Sequence, residues 1–162
     1  MPKPVMLDTG PLGKLAHPRP HPEISTWFKH LLEANVTIII PEIADYEVRR
    51  SLLLAELEKS VIRLNQLKYV LTYQPLTTEI MLKAAELWAS ARKQGKPTAD
   101  PNALDGDVIL AAQALQVGAV IATENVGHLS LFVDAKHWRE ILPLPLPEEE
   151  DSDGSSQDLT DV

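Results

Sequence analysis

Three carboxylates, Asp8, Glu47 and Asp107, stand where the surrounding pattern asks for apolar side chains. Asp8 follows Val5-Met6-Leu7, a short apolar run bounded by Pro4 and by the turn signal Gly10-Pro11, so it falls at the end of a buried strand. Glu47 lies in Pro41-Glu-Ile-Ala-Asp-Tyr-Glu-Val-Arg-Arg-Ser-Leu-Leu-Leu-Ala-Glu-Leu. Pro41 suits a helix start and nothing inside the segment breaks it, which predicts a helix from near Glu42. At about 100° per residue, Glu42, Asp45, Arg49 and Glu56 share a water-facing stripe, whereas Glu47 projects among Ile43, Ala44 and Leu54. The helix predicted for residues 107–117 repeats the irregularity: Gln113 and Gln116 mark its polar side, and Asp107 falls roughly opposite, among Ala111, Ala114 and Leu115.

Ionised carboxylates in semi-apolar surroundings are costly, and two of them about 4 Å apart repel by about 4 kcal/mol at an effective dielectric of 20. A divalent cation reverses that sign. Carboxylate oxygens are hard donors suited to Mg²⁺ or Mn²⁺, and Mg²⁺ keeps several waters while bridging to phosphates. Taken singly, each acid also reads as a helix cap, as a partner of Arg50 or Lys14, or as a carboxylate bordering solvent. Asp105, about 200° around the helix from Asp107, reads as a cap accepting a backbone N–H.

The elements that must position these acids follow from periodicity. Val36-Thr-Ile-Ile-Ile is β-branched and stops at Pro41, which predicts a second strand, and Ala119-Val-Ile-Ala-Thr predicts a third after Gly118 ends the Asp107 helix. Helical period covers 23–34, 60–73 and 77–94, with Gly95-Lys-Pro97 as a stop, and Glu124-Asn-Val-Gly-His128 reads as a turn. The link His17-Pro-Arg-Pro-His-Pro reads as a loop, with His17 and His21 solvated rather than ligating. Strands separated by helices imply an α/β sheet, mostly parallel, whose sites gather beyond the carboxyl ends of strands, where Asp8 and Asn125 both fall.

With 162 residues the chain suits one domain, expected over 1–147. The net charge of −8 is misleading as a guide to partners, because seven acids lie within 148–162; setting them aside leaves −1 for residues 1–147. That tail is nearly free of apolar residues and is expected to be disordered, either as a solubilising segment or as a polyanion that competes for a basic groove. The absence of cysteine excludes disulfides and thiolate chemistry. No apolar run approaches the roughly 20 residues of a membrane span, so a cytoplasmic protein without membrane contact is expected.

In order and spacing, Val-Met-Leu-Asp8-Thr-Gly-Pro-Leu, Pro-Glu-Ile-Ala-Asp-Tyr-Glu47-Val-Arg-Arg, Asp107-Val-Ile-Leu-Ala-Ala-Gln-Ala and Ile-Ala-Thr123-Glu-Asn125 resemble a PIN domain, the nuclease fold of VapC-type toxins and related ribonucleases such as PilT N-terminus-like proteins. The resemblance covers residues 4 to about 132 and implies a three-layer fold, a mostly parallel sheet flanked by helices. It further implies a Mg²⁺- or Mn²⁺-dependent endoribonuclease, often a homodimer, acting on RNA and in some cases held by an antitoxin protein. Carried onto this chain, Asp8, Glu47 and Asp107 match the three principal acids. The fourth acidic position matches Asn125, which can offer a metal its carbonyl but no charge. Asp105 is a further possible ligand, and Thr9, Thr123 and Glu124 are placed to orient the ligands. A PIN-like module that binds RNA or protein without turnover is the competing reading, motivated by Asn125. Asp8-Thr-Gly also matches the aspartic-protease tripeptide, but those enzymes are built on β-structure. A phosphatase with an Asp nucleophile would carry a second Asp where Gly10 stands.

Overall fold

A computed structural model describes residues 2–95 and 101–143. The five strands are β1 (Val5–Leu7), β2 (Ile38–Pro41), β3 (Thr72–Gln74), β4 (Val120–Thr123) and β5 (Ala135–His137). The helices are α1 (Thr9–Leu15), α2 (Pro22–Glu33), α3 (Glu42–Leu54), α4 (Glu58–Val70), α5 (Thr78–Lys93), α6 (Pro101–Val117) and α7 (Val126–Leu129), with a final 3-10 turn at Trp138–Glu140.

Every strand pair is parallel, in the order β3-β2-β1-β4-β5. The chain winds outward from β1 through β2 to β3, then returns to the other side of β1 as β4. That reversal makes the carboxyl ends of β1 and β4 the topological switch point, the place where open α/β sheets leave a crevice. The expected α/β architecture is therefore present, a parallel sheet with helices on both faces.

Alternation along β1 explains the two cores. Val5 and Leu7 point to one face, with α1, α2 and α4, while Met6 points to the other, with Leu110 and Ala114 of α6. α5 packs outside α6 through Ile80, Ala84, Val108 and Ala112. α3 bridges the layers, giving Ala44 and Val48 to the first core and Ile43 to the second.

The structure corrects several expectations. Two strands were hidden: Thr72–Gln74, overlapping the end of the helical period assigned to 60–73, and Ala135–His137. β3 pairs at the sheet edge with mostly part-exposed residues, so it lacks the apolar signature of a buried strand. Gly10-Pro11 is no turn but lies in the first turns of α1, where a missing N–H costs nothing. Residues 126–129 are a short helix. Gln113 and Asp45, both assigned to water-facing stripes, are 0% and 6% exposed. Asp105 lies inside α6 rather than capping it. Residues 144–162, which include the expected acidic tail, and 96–100 are outside the described residues, and among the described residues no helix is long and apolar enough to cross a membrane.

Candidate active site

The register of β1 on β4 builds the first half of the site. Leu7 stands opposite Ala122, and the Asp8 amide continues the ladder to the Ala122 carbonyl at 3.0 Å, so Asp8 emerges beside Thr123. Asp8 then caps α1. Its Oδ1 accepts from the Thr9 amide at 2.7 Å and the Thr9 hydroxyl at 3.2 Å, while Oδ2 accepts from the fully buried Thr123 hydroxyl at 2.7 Å. Thr123 in turn accepts from the Asn125 amide at 3.0 Å. Both Asp8 oxygens thus accept from donors on Thr9 and Thr123.

The second half comes from α3 and α6. Asp8, Thr9, Glu47, Asp107 and Asn125 line one cleft of about 190 Å³, walled by Ile43, Ala44, Leu110 and Leu129 and completed by Gly106 and His128. Ile43 and Ala44 flank Glu47 as the helical wheel required, whereas Leu54 is 88% exposed and takes no part. Burial first and then the Asp8 charge push the Glu47 carboxyl above its ordinary pKa, with Arg50 opposing and Asp107 adding. Burial and Asp8 likewise push Asp107 up, opposed by His128. Glu47 therefore feels both other carboxylates and Asp107 feels Asp8, across a semi-buried space lined, among the described residues, by no Lys or Arg. Among the described residues no three His, Asp or Glu side chains already enclose a point at metal-ligand distance. The carboxylates instead stand around the cleft wall. That donor set of hard, mutually repelling oxygens fits a cation that keeps part of its water shell, as Mg²⁺ does.

Two of the expected site residues face elsewhere. Asp105 is exposed and lines a separate groove with Met81, Trp88 and Ile109 on the α5 side of α6. Glu124 turns away from Asn125 to the opposite side of α1, where it is ion-paired with Lys14 and accepts from the Trp138 indole at 3.3 Å. Burial works to raise the Glu124 carboxyl, but Lys14 and Trp138 together hold it below its ordinary value.

Sequence reasoning missed three contributors. A Cβ on Gly106 would lie 2.5 Å from Glu47 Oε1, so the carboxylate occupies the space that the missing side chain leaves. His128 enters on α7, one turn beyond Asn125. Gln113 ties the two acid-bearing helices together. The N-cap of α3 is Pro41, which offers no side-chain acceptor, and the Ile43 amide instead donates to Gln113 Oε1 at 3.3 Å. The Gln113 amide donates to the Gln74 carbonyl at 3.0 Å, and Gln74 Nε2 donates back to the Gln113 carbonyl at 3.1 Å. An amide in the middle of a helix whose next residues are Ala and Leu was the available signal.

The comparisons agree with this architecture. The PIN domain family model matches residues 5–129, the interval from β1 to the end of α7. Among solved structures, VapBC2 from Rickettsia felis, bound to a DNA fragment from its promoter, superimposes with a TM-score of 0.69 at 18% identity, covering 83% of this chain and 98% of that one. FitAcB from Neisseria gonorrhoeae gives 0.66 at 23% identity, with 85% and 99% covered. VapBC-1 from nontypeable Haemophilus influenzae gives 0.64 at 20% identity, with 84% and 98% covered. No curated protein matches the sequence. With the model spanning the switch-point cleft and the strands and helices that build it, the chain belongs to the PIN domain family.

Proposed function

We propose that the protein is a divalent-metal-dependent endoribonuclease that hydrolyses RNA phosphodiester bonds in the cytoplasm. The observation that carries the reading is the meeting of Asp8, Glu47 and Asp107 in one cleft at the switch point, lined, among the described residues, by no Lys or Arg. Asp8, Glu47 and Asp107 would hold Mg²⁺ or Mn²⁺, with the Asn125 carbonyl as a neutral fourth donor. Bound there, the ion would supply a water of lowered pKa and offset charge on the phosphate.

The chain's own residues set the conditions for that chemistry. Thr9 and Thr123 hold both oxygens of Asp8 in one orientation, so the carboxylate loses little freedom when it binds. Burial and neighbouring carboxylate charge raise the affinity of Glu47 and Asp107 for protons in the metal-free protein, and a bound cation would relieve that same repulsion. Ile43, Leu110 and Leu129 wall the cleft and keep bulk water from screening its charges.

The similar structures bear on the biological role. VapBC and FitAB are two-component assemblies, and this chain aligns along nearly the full length of the matched chains. We therefore assign the chain the toxin role of a toxin–antitoxin pair, working as a homodimer and restrained by an antitoxin protein. The binding-module alternative rests on Asn125, which removes one charge from the acid set.

The test is Asp8→Asn in the purified protein, with single-stranded and structured RNA in Mn²⁺. Cleavage is expected to fall at least about a hundredfold while Tm stays within a few degrees, the loss typical of removing one group from preorganised charge stabilisation. Full activity in the variant removes Asp8 from the mechanism. Mn²⁺ binding without cleavage of any RNA by the unaltered protein establishes the binding module.

A further inference from the structure

A second cleft, of about 630 Å³, lies across α1 from the acids. Lys14, His17, Arg19, His21, Trp138 and Arg139 line it with Glu23, and Glu124 stands against Lys14 and Trp138 at its border. Gly10 and Gly13 also line it, and a Cβ on Gly10 would lie 3.0 Å from the Glu124 carboxylate. The cations are held ready. Arg139 lies 4.6 Å over the Trp138 ring and forks onto Glu23, with Nη2 at 3.1 Å from Oε2. His17 Nδ1 accepts from the Arg19 amide at 3.0 Å and His21 Nδ1 from the Glu23 amide at 3.2 Å. With Nδ1 so assigned, each neutral imidazole carries its proton on Nε2 and can donate outward. Among the described residues Arg19 forms no ion pair.

The two clefts lie on either side of the first turn of α1. Thr9 lines the acid cleft and Gly10 the cationic one; Asn125 lines the acid cleft while Glu124 bonds to Lys14 and Trp138 on the other side. A strand whose scissile phosphate lay at Asp8 would pass its neighbouring phosphates around the first turn of α1 to the cationic cleft. A small free anion would need no such continuity.

We propose that this cleft binds the sugar-phosphate backbone of a single RNA strand beside the cut, with Arg19 making a phosphate contact and Lys14, Arg139, His17 and His21 donating around it. The assignment rests on the RNA-cleaving reading above for its choice of ligand. Phosphate contacts of this kind set register and affinity and carry no sequence information.

The experiment is fluorescence anisotropy of a labelled single-stranded RNA oligonucleotide with the full chain in EDTA, over a salt series, paired with cleavage kinetics in Mn²⁺. Arg19→Glu is expected to weaken binding about tenfold at low salt and to flatten the log–log salt slope by about 0.7, the loss of one phosphate contact on a single strand. Arg19 is exposed in a loop, and an unchanged Tm of Arg19→Glu and Arg19→Ala confirms folding. Lys83→Glu, on α5 away from both clefts, is expected to change nothing. Unaltered RNA affinity and KM in Arg19→Glu, or an equal loss in Lys83→Glu, overturns the cleft even if cleavage itself is found. An equal loss for duplex DNA of the same length overturns its assignment to a single strand. Loss of binding in Arg19→Glu when the unaltered protein cuts no RNA overturns the nuclease reading and leaves the cleft standing.

Discussion

One helix carries two kinds of buried acid. On α3, Asp45 is 6% exposed yet fully compensated: Arg49 reaches its Oδ1 at 2.9 Å, Lys68 its Oδ2 at 3.6 Å, and the Tyr73 hydroxyl donates toward it at 3.3 Å. Neighbouring Glu42 accepts from the Tyr73 hydroxyl at 3.0 Å and the Leu76 amide at 3.3 Å. Burial, then the Glu42 hydrogen bond, hold the Tyr73 phenol well above its ordinary pKa, so it remains a donor. Two residues beyond Asp45 on α3, Glu47 faces Asp8 and Asp107 with Arg50 opposing. The first group spends its charge joining α3 to α4 and β3. The second is left in mutual repulsion, which native proteins tolerate where charge serves a ligand.

The sharpest way to break that comparison is to neutralise one acid of each kind. Glu47→Gln is expected to lower RNA cleavage at least about a hundredfold while leaving Tm unchanged or higher, because it removes a carboxylate that burial and two like charges disfavour. Asp45→Ala is expected to do the reverse. It strands Arg49 and Lys68, whose side chains are 26% and 34% exposed. Solvent therefore discounts the penalty to about 1–3 kcal/mol, with activity kept in the fraction that folds. Thermal melts and initial rates on the same preparations decide it. A destabilised Glu47→Gln, or an inactive Asp45→Ala of normal stability, would erase the distinction.

What the sequence revealed and what it hid divide along the same line. Asp8, Glu47 and Asp107 were legible because each breaks a local pattern, and local pattern is what one chain displays. The order of α and β elements was legible for the same reason, apart from β3 and β5, two short edge strands. Asp45 was misread as solvated, because an acid on a helical polar stripe looks identical whether water or Arg49 and Lys68 meet it. Gln113 was misread likewise, since its partners Ile43 and Gln74 lie 70 and 39 residues away. Asp105 and Glu124 share the charge of their neighbours but not their direction, which only the tertiary register decides. Gln113→Leu tests how far that register matters. It leaves the Ile43 amide and the Gln74 carbonyl without partners and is expected to cost about 2–3 kcal/mol. Cleavage is expected to fall several-fold as α3 and α6 lose their tie. Normal kcat with a normal melt would show that the amide positions nothing.

Gly106 sharpens the contrast between the stability and the charge of α6. Gly106→Ala improves helix propensity by up to about 1 kcal/mol, but the new Cβ would lie 2.5 Å from Glu47 Oε1 and must displace the carboxylate. Cleavage is expected to fall about tenfold with Tm unchanged or raised, read by the same pair of assays. Wild-type activity in Gly106→Ala would mean that the position of Glu47 against α6 is not the working one.

The smallest expected effect, a shift of a few degrees in Tm, examines the repulsion itself. In the metal-free protein Glu47 and Asp107 hold protons more tightly than the same groups do in the unfolded chain, where a carboxylate titrates near pH 4. The folded state therefore gains from them at acid pH, and that gain is lost as pH rises through their raised values toward neutrality. Glu124, held low by Lys14 and Trp138, acts in the opposite sense and loses its contribution as pH falls, so wild-type stability alone does not isolate the cleft. The difference between Glu47→Gln and wild type does: it is expected to favour the variant at pH 7 and to shrink toward zero near pH 4. Mn²⁺ at a hundred times its Kd is expected to add about 2.7 kcal/mol at pH 7. That gain is expected to fade at acid pH as protons compete for the same oxygens. Calorimetry from pH 4 to 7.5, with and without Mn²⁺, reads both. A Mn²⁺ shift equally large in Glu47→Gln would place the ion outside the acid cleft, and Glu47 would then belong with Asp45 as a structural acid.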